Sequence, residues 1–412
     1  MTTDTRHGTR HPLDTDYDPF APAIREDPYS WLANRRDRGP VFFSPAVGMW
    51  VITRYADVDA VLRDPDTFSS ENAIVGRYHP EVTARLAGKV PMTATLIGMD
   101  RPDHTRLRRI VNAAFTRGRV ARMEEDVTRL ARGLAEDLPR DEPFDILSRF
   151  SYPLTLTVIA GLVGIPQEDI QRCHDLSEQW NELLGADERG MPLDDQLRCA
   201  DAALEYHAHI GELIARRERE PADDLITAVW DVRRTGEVPL SDMEMLSLFP
   251  GLISAGHETT ANLIGNTLWH LLRRPERWQA LVDGAVDVGN LVEEMLRFDT
   301  SIYGMPRRVA RDTVVGGVAI PAGDLVFLHF AAAGHDPDRF PDAGELRPTR
   351  EDLQHLSFGR GAHFCLGAAL ARLETRIALE QLAVLRPGLR LVSEPEHVPH
   401  FVFRALRELV VE

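Results

Sequence analysis

The sequence predicts a mainly α-helical protein with small peripheral β-sheets, on three observations. From Thr105 to about Gly236 apolar residues recur at helical spacing, as in Val127, Leu130, Leu134 and Leu138. A single apolar pattern then runs from Ser241 to about Leu272, about 32 residues, or roughly 48 Å at ~1.5 Å per residue, long enough for one central helix to cross the molecule. Period-two alternation, the mark of a strand, is confined to short stretches near the N-terminus and between Val314 and Val326.

In chain order, Pro28 to Asp37 reads as a short helix, and the alternation in Val41 to Phe43 and Met49 to Thr53 as a hairpin. A helix over Ala56 to Leu62 closes this stretch. Ser69 to Asp103 is broken by Gly and Pro and holds only a short helix near Glu81 to Leu86; ordered loops this long are mostly functional, so it is expected to cover a pocket. Apolar faces follow in Leu154 to Val163, Ile170 to Leu184 and Leu197 to Ile214. Ser241 and Glu244 have capping-box spacing at the head of the longest pattern. Within that pattern Pro250 removes the N–H bond to Leu246, and Pro250-Gly251 predicts a kink. Asn290 with Glu293 opens a further helix ending near Arg297, and Val314 to Val326 alternates around a turn at Pro321-Ala322-Gly323. No repeat, linker or block of like charge marks a boundary, so residues 1–412 read as a single domain with 1–26 a polar N-terminal arm.

Composition excludes several functions. With 43% apolar and 27% charged residues the chain sits at the globular norm. Its 47 basic and 64 acidic residues leave a net charge of −17, which opposes binding to nucleic acid or an anionic membrane. The most apolar stretches, Leu154 to Pro166 and Leu246 to Ala255, fall short of the ~18 to 20 residues of a bilayer span. Met1 to Phe20 lacks the apolar core of a signal peptide, and Cys173, Cys199 and Cys365 are too few for a disulfide scaffold. The expectation is a cytoplasmic monomer with no nucleic-acid or membrane partner. Lys89 is the one lysine, so any basic docking surface must be built from arginine.

The chemistry concentrates near the C-terminus, in Phe358-Gly359-Arg360-Gly361-Ala362-His363-Phe364-Cys365-Leu366-Gly367. Gly359 and Gly361 permit positive φ, so the loop can fold tightly beneath a flat cofactor. Cys365 then enters a helix N-terminus, whose dipole favours the thiolate. Alone, such a cysteine is more often a buried small hydrophobe. The segment, however, resembles the haem-binding signature of the cytochrome P-450 family at Phe358, Gly359, Gly361, Cys365 and Gly367. The resemblance implies the P-450 fold with its long central helix over the haem, a cofactor of haem b (heme; iron protoporphyrin IX), Cys365 as iron ligand, and His363 beside a haem propionate. A thiolate ligand favours O–O cleavage.

Other segments extend the resemblance from about Asp27 to Phe403-Arg404-Ala405-Leu406. Ala255-Gly256-His257-Glu258-Thr259-Thr260 is similar to the family's oxygen-activation motif, which implies Glu258 as the acid and Thr259 as the alcohol of proton delivery. Small Ala255 and Gly256 would leave room for a cofactor face, and His257 would point away from it; by residue type alone Glu258 and Thr259 could equally lie on a solvated face. His104 and Arg108, one helical turn apart, offer donors suited to carboxylates or form a solvated basic helix. The family resemblance makes them, with Arg308, holders of haem propionates. Glu294 and Arg297 share a helix face; spacing allows an ordinary surface ion pair, and the resemblance implies the family's structural Glu-x-x-Arg pair. The family's aromatic after a basic residue is missing at Glu345-Leu346-Arg347, which leaves the pair's third partner open between Arg347 and Arg350.

The resemblance implies a haem-thiolate monooxygenase that inserts one oxygen atom from O2 into a small organic molecule, by C–H hydroxylation or epoxidation, in secondary metabolism. Electrons would come from NAD(P)H through an external ferredoxin reductase and ferredoxin, docked on Arg106, Arg109, Arg360 and Arg372. Oxidative coupling, desaturation or peroxide-driven oxidation are the alternatives within the fold, and a non-enzymatic haem-binding sensor is the alternative outside it. Ile74, Val75, Leu96, Ile97, Ile302, Tyr303, Phe401 and Val402 are expected to line the pocket, and Arg77, Tyr78 and His79 to meet a polar group or solvent.

Overall fold

The longest helix starts where its first turn is satisfied. The Ser241 N–H and hydroxyl both donate to the Glu244 carboxylate at 2.8 Å, and the Glu244 N–H donates back to Ser241 Oγ at 3.2 Å. From this reciprocal cap the helix Asp242–Leu272 runs for 31 residues and passes through Pro250 without ending. Two of its glycines admit neighbours that a side chain would exclude: a Cβ on Gly256 would lie 2.7 Å from Ile159, and one on Gly265 2.6 Å from Leu147.

This computed structural model describes residues 14–73, 78–90, 96–184, 191–236 and 238–412. The chain packs as two compact units, one of Met1–Ser69, Arg122–Leu154 and Thr259–Glu412, the other of Ser70–Ala121 and Thr155–Glu258. Among the described residues no helix is long and apolar enough to cross a membrane.

The first unit holds the five-stranded sheet, in the order Val41–Ser44, Met49–Ile52, Leu325–Leu328, Met305–Val309, Phe68–Ser69. All neighbours are antiparallel except Met49–Ile52 with Leu325–Leu328. Alternation sorts its side chains: Phe42, Val51 and Phe327 enter one apolar cluster, and Val41, Trp50, Ile52, Val326 and Leu328 another. Tyr17, Ile24 and Leu32 join the Phe42 cluster, and Asp14 N–H donates to Phe43 O at 3.0 Å, so the arm is bound to the sheet from Asp14 onward. Helices Glu124–Glu136 and Ala368–Leu385 pack together in the same unit, and Arg376 bonds Glu124 at 2.6 Å. The second unit is helical, with Pro80–Leu86, Asp103–Asn112, Ile170–Leu184, Leu193–Arg219 and Leu225–Thr235. Asp224 caps the last of these, accepting the Thr227 N–H at 2.8 Å, and Gly236 ends it at φ +70°.

Local details differ from the sequence reading. The hairpin turn falls at Gly316-Gly317 (φ 55° and 82°) between Thr313–Val315 and Val318–Ile320, because paired positive φ matches the twist of a two-residue hairpin; the Pro321 turn instead leads into Leu325–Leu328. The helix read as opening at Asn290 spans Val288–Phe298, because Asp287 takes the cap by accepting the Asn290 N–H at 2.7 Å.

One side chain in this core conflicts with its surroundings. Glu374 is fully buried in Ala368–Leu385, and neither carboxyl oxygen meets a hydrogen-bond partner among the described residues. Burial raises its proton affinity well above the ordinary carboxylate range. Such a carboxyl stays protonated in the fold where the unfolded chain has ionised, so stability is lost as pH climbs past the ordinary value of 4.5. Glu374→Gln removes that loss. Urea unfolding should show its stability relative to the parent rising between pH 5 and 8, by up to about 1.4 kcal/mol per pH unit. A difference independent of pH would mean that Glu374 is ionised and paired.

Candidate active site

The loop before Ala368–Leu385 is built to hold one cysteine. Cys365 N–H donates to Phe358 O at 2.8 Å, Gly359 N–H to Leu356 O at 2.7 Å, and Phe364 N–H to Gly361 O at 3.2 Å. Gly359 and Gly361 stand at φ +64° and +70°, as their spacing predicts, and a Cβ on Gly361 would meet Leu62 O at 3.0 Å. A short 3-10 turn carries the half-buried His363, and the helix starts at Ala368 with Gly367 as its cap. The Arg372 guanidinium lies 4.6 Å from the centre of the Phe358 ring, and Arg360 bonds Asp59 at 2.9 Å.

Cys365 is half-buried, whereas Cys173 and Cys199 are buried. Burial pushes those two thiols up to about 12 and about 11, the second also through a hydrogen bond to Glu182, so both stay neutral. A thiolate ligand is therefore best supplied by Cys365.

The Glu294–Arg297 pair is fully buried, not on the surface. Arg297 donates from Nε and Nη2 to Glu294 at 2.8 and 2.7 Å, from Nη1 to Gly334 O and Ala343 O, and from Nη2 to Glu345 O. All five guanidinium N–H groups are thus used. The third partner is Arg350, whose Nε lies 3.2 Å from Glu294 Oε2; Arg347 adds its backbone N–H to Glu294 Oε1 at 2.8 Å while its side chain goes to Asp342. The adjacent Glu293 bonds Arg372 and His355, and these hydrogen bonds outweigh burial and hold it down to about 2.

In the first unit Thr259 is half-buried in the long helix, and Arg308 stands in strand Met305–Val309 with its Nη1 donating to Gly323 O at 3.0 Å. In the second unit His104 is buried and Arg108 half-buried on helix Asp103–Asn112, with Arg108 Nε donating to Asn112 Oδ1. Ala255 is exposed, and the smallness of Gly256 serves close packing on Ile159. His257 is buried, 3.0 Å from Thr155 Oγ1, and burial with the nearby His174 lowers it to about 3. Burial raises Glu258 to about 7, helped by the Glu178 carboxylate and opposed by a 3.1 Å hydrogen bond from Asn181 Nδ2. Sequence reading missed Asn181: an asparagine in the amphipathic run Ile170–Leu184 carries no signal of what it bonds.

Several expected lining residues do other work. Tyr303 is buried in the apolar cluster of the sheet and its hydroxyl accepts from Arg404 at 3.0 Å; Ile302 is buried in the other cluster and bridges Phe403. Phe401 and Val402 pack against the same core, and His79 caps Pro80–Leu86. Leu96 is buried and Ile97 exposed, while Ile74, Val75 and Arg77 lie outside the described residues. Of the arginines expected to dock a partner, Arg106 pairs with Glu244, Arg360 with Asp59 and Arg372 with Glu293, so carboxylates already offset their charge; Arg109 is exposed.

The chain belongs to the cytochrome P450 family, whose sequence model matches residues 35–283 and 288–383, and it is a cytochrome P450 monooxygenase, an oxidoreductase of a family whose cofactor is haem. It is 36% identical to a vitamin D(3) 25-hydroxylase of Pseudonocardia autotrophica over 381 residues, 91% of this chain and 90% of that protein. It is 35% identical to a mycinamicin IV hydroxylase/epoxidase of Micromonospora griseorubida over 83% of each. Among solved structures, the haem domain of a cytochrome P450 from Acinetobacter radioresistens superposes with a TM-score of 0.88 at 30% identity, over 97% of both chains. The residues present fit the cofactor: one half-buried cysteine, its loop closed by its own amide, stands just before a helix.

Glu294→Ala should lose about 3 to 5 kcal/mol of stability, because it leaves Arg297 charged, buried and without its carboxylate. Urea unfolding and the haem-to-protein ratio check this. A stable variant with full haem content would show that the backbone acceptors alone hold Arg297.

Proposed function

We propose that the protein inserts one atom of dioxygen into a C–H bond or a double bond of a small organic molecule, in secondary metabolism. The observation that carries this is Cys365, the one half-buried cysteine of the three, in a loop closed on Phe358 by its own amide. Cys365 serves as the iron ligand, flanked by Phe358 and Gly367. By the family resemblance, His104, Arg108, Arg308 and His363 offer donors to the cofactor's carboxylates. Ala255 and Gly256 present the small face of the long helix. Haem with a thiolate ligand supplies the oxidant that attacks unactivated C–H bonds.

Glu258 supplies protons and Thr259 orders the oxygen that receives them. A carboxyl raised to about 7 is half protonated at neutral pH, so it can both give a proton and regain one. Electrons reach the site from NAD(P)H through a reductase and a ferredoxin, in the cytoplasm. The names of relatives support an oxygenation: one is a 25-hydroxylase and another a hydroxylase/epoxidase.

Thr259→Ala should still bind a substrate that shifts the Soret band and still consume NADH, yet release most of the reduced oxygen as hydrogen peroxide. Glu258→Gln should slow oxygen consumption itself, by roughly 10²-fold if proton supply limits. Product and peroxide formed per NADH are measured together. Full coupling in Thr259→Ala would remove the hydroxyl from the mechanism.

A further inference from the structure

The Glu258 carboxyl is held from a second helix. Asn181, on Ile170–Leu184, spans two positions one turn apart on the long helix: Nδ2 donates to Glu258 Oε2 at 3.1 Å, and Oδ1 accepts from the Ser254 hydroxyl at 2.7 Å. All three residues belong to the same unit. In this orientation the amide turns its N–H toward the carboxyl and its oxygen toward the Ser254 hydroxyl, which donates to it. We propose that Asn181 is the positioning residue for the proton-delivering carboxyl, fixing it with a neutral donor where an arginine or lysine would make an ion pair. This rests on Glu258 being the proton donor.

The choice of a neutral partner has a chemical consequence. A cation at 3 Å would hold the carboxyl ionised and make it a poor acid at neutral pH. Asn181 aims the group without that charge. The charged and titratable groups around it act in the same direction or lie aside: Glu178, one turn earlier on Ile170–Leu184, raises the proton affinity of Glu258, and it lies 3.6 Å from His174. His174 in turn faces His257, which is tied to Thr155. The acid is therefore set by burial and one carboxylate, while its direction is set by one amide.

The test compares Asn181→Ala, Asn181→Arg and Ser254→Ala with the parent and with Glu258→Gln. Infrared difference titration of the Glu258 carboxyl, assigned by its loss in Glu258→Gln, reads protonation without turnover. Losing the amide donor should move the midpoint up by roughly one pH unit in Asn181→Ala, since a hydrogen bond to a charged group is lost. Ser254→Ala, which frees only the far end of the amide, should move it the same way by less, and Asn181→Arg should move it down. Oxygen consumption at pH 7 should fall by roughly tenfold in Asn181→Ala, and adding Asn181→Ala to Glu258→Gln should cause no further fall. If Asn181→Ala does not fold, Ser254→Ala and Asn181→Arg carry the same readout. An unmoved midpoint in variants that fold overturns the role of Asn181. A Glu258→Gln variant that consumes oxygen at the parent rate overturns the proton-donor reading instead.

Discussion

A charge removed from water must find all its partners inside the protein, and Arg297 does. Its guanidinium gives two bonds to Glu294 and three to the carbonyls of Gly334, Ala343 and Glu345. Glu294 in turn takes the Arg347 N–H and the Arg350 side chain. One helix, Val288–Phe298, thereby fixes the irregular chain between residues 334 and 350, which has few backbone ladders of its own. The same helix reaches further: Ser357 donates to Leu296 O, and Glu293 binds Arg372 of Ala368–Leu385. The cysteine loop lies between these last two anchors in sequence. A helix anchored by a buried ion pair thus also holds both flanks of that loop.

Two glutamates show how surroundings divide one residue type into two uses. Glu293 receives hydrogen bonds from a guanidinium and an imidazole and is held down to about 2, as a permanent anion suited to bracing. Glu258 has burial, a neighbouring carboxylate and a neutral amide, and is raised to about 7. Partner charge decides between them, since both are substantially desolvated.

Much of this was legible in the sequence where the signal is local. The capping box Ser241-Glu244 marked the start of the long helix, and alternation found the hairpin at Val41 and Met49 because period-two patterning and burial of one face are the same fact. Gly359 and Gly361 could be read as positive-φ positions because glycine enters that region without steric cost. Long-range partners were not legible. Arg350 and Arg347 are equivalent by spacing, and only the folded chain gives one its side chain and the other its amide toward Glu294. The Tyr303 hydroxyl accepts from Arg404, which is distant in sequence, and no local pattern signals that pairing. Asn181 stayed hidden for the same reason, as did the close packing of Gly256 on Ile159.

The central claim is that Cys365 is the thiolate that binds haem iron, and the reduced carbon monoxide complex tests it most directly. Thiolate donation changes the electronics of the haem, so the parent protein and the Cys173→Ser and Cys199→Ser variants should all show the strongly red-shifted Soret band. Cys365→His should bind haem without that band. Retention of the red-shifted band in Cys365→His would contradict the account and move the ligand to another sulfur.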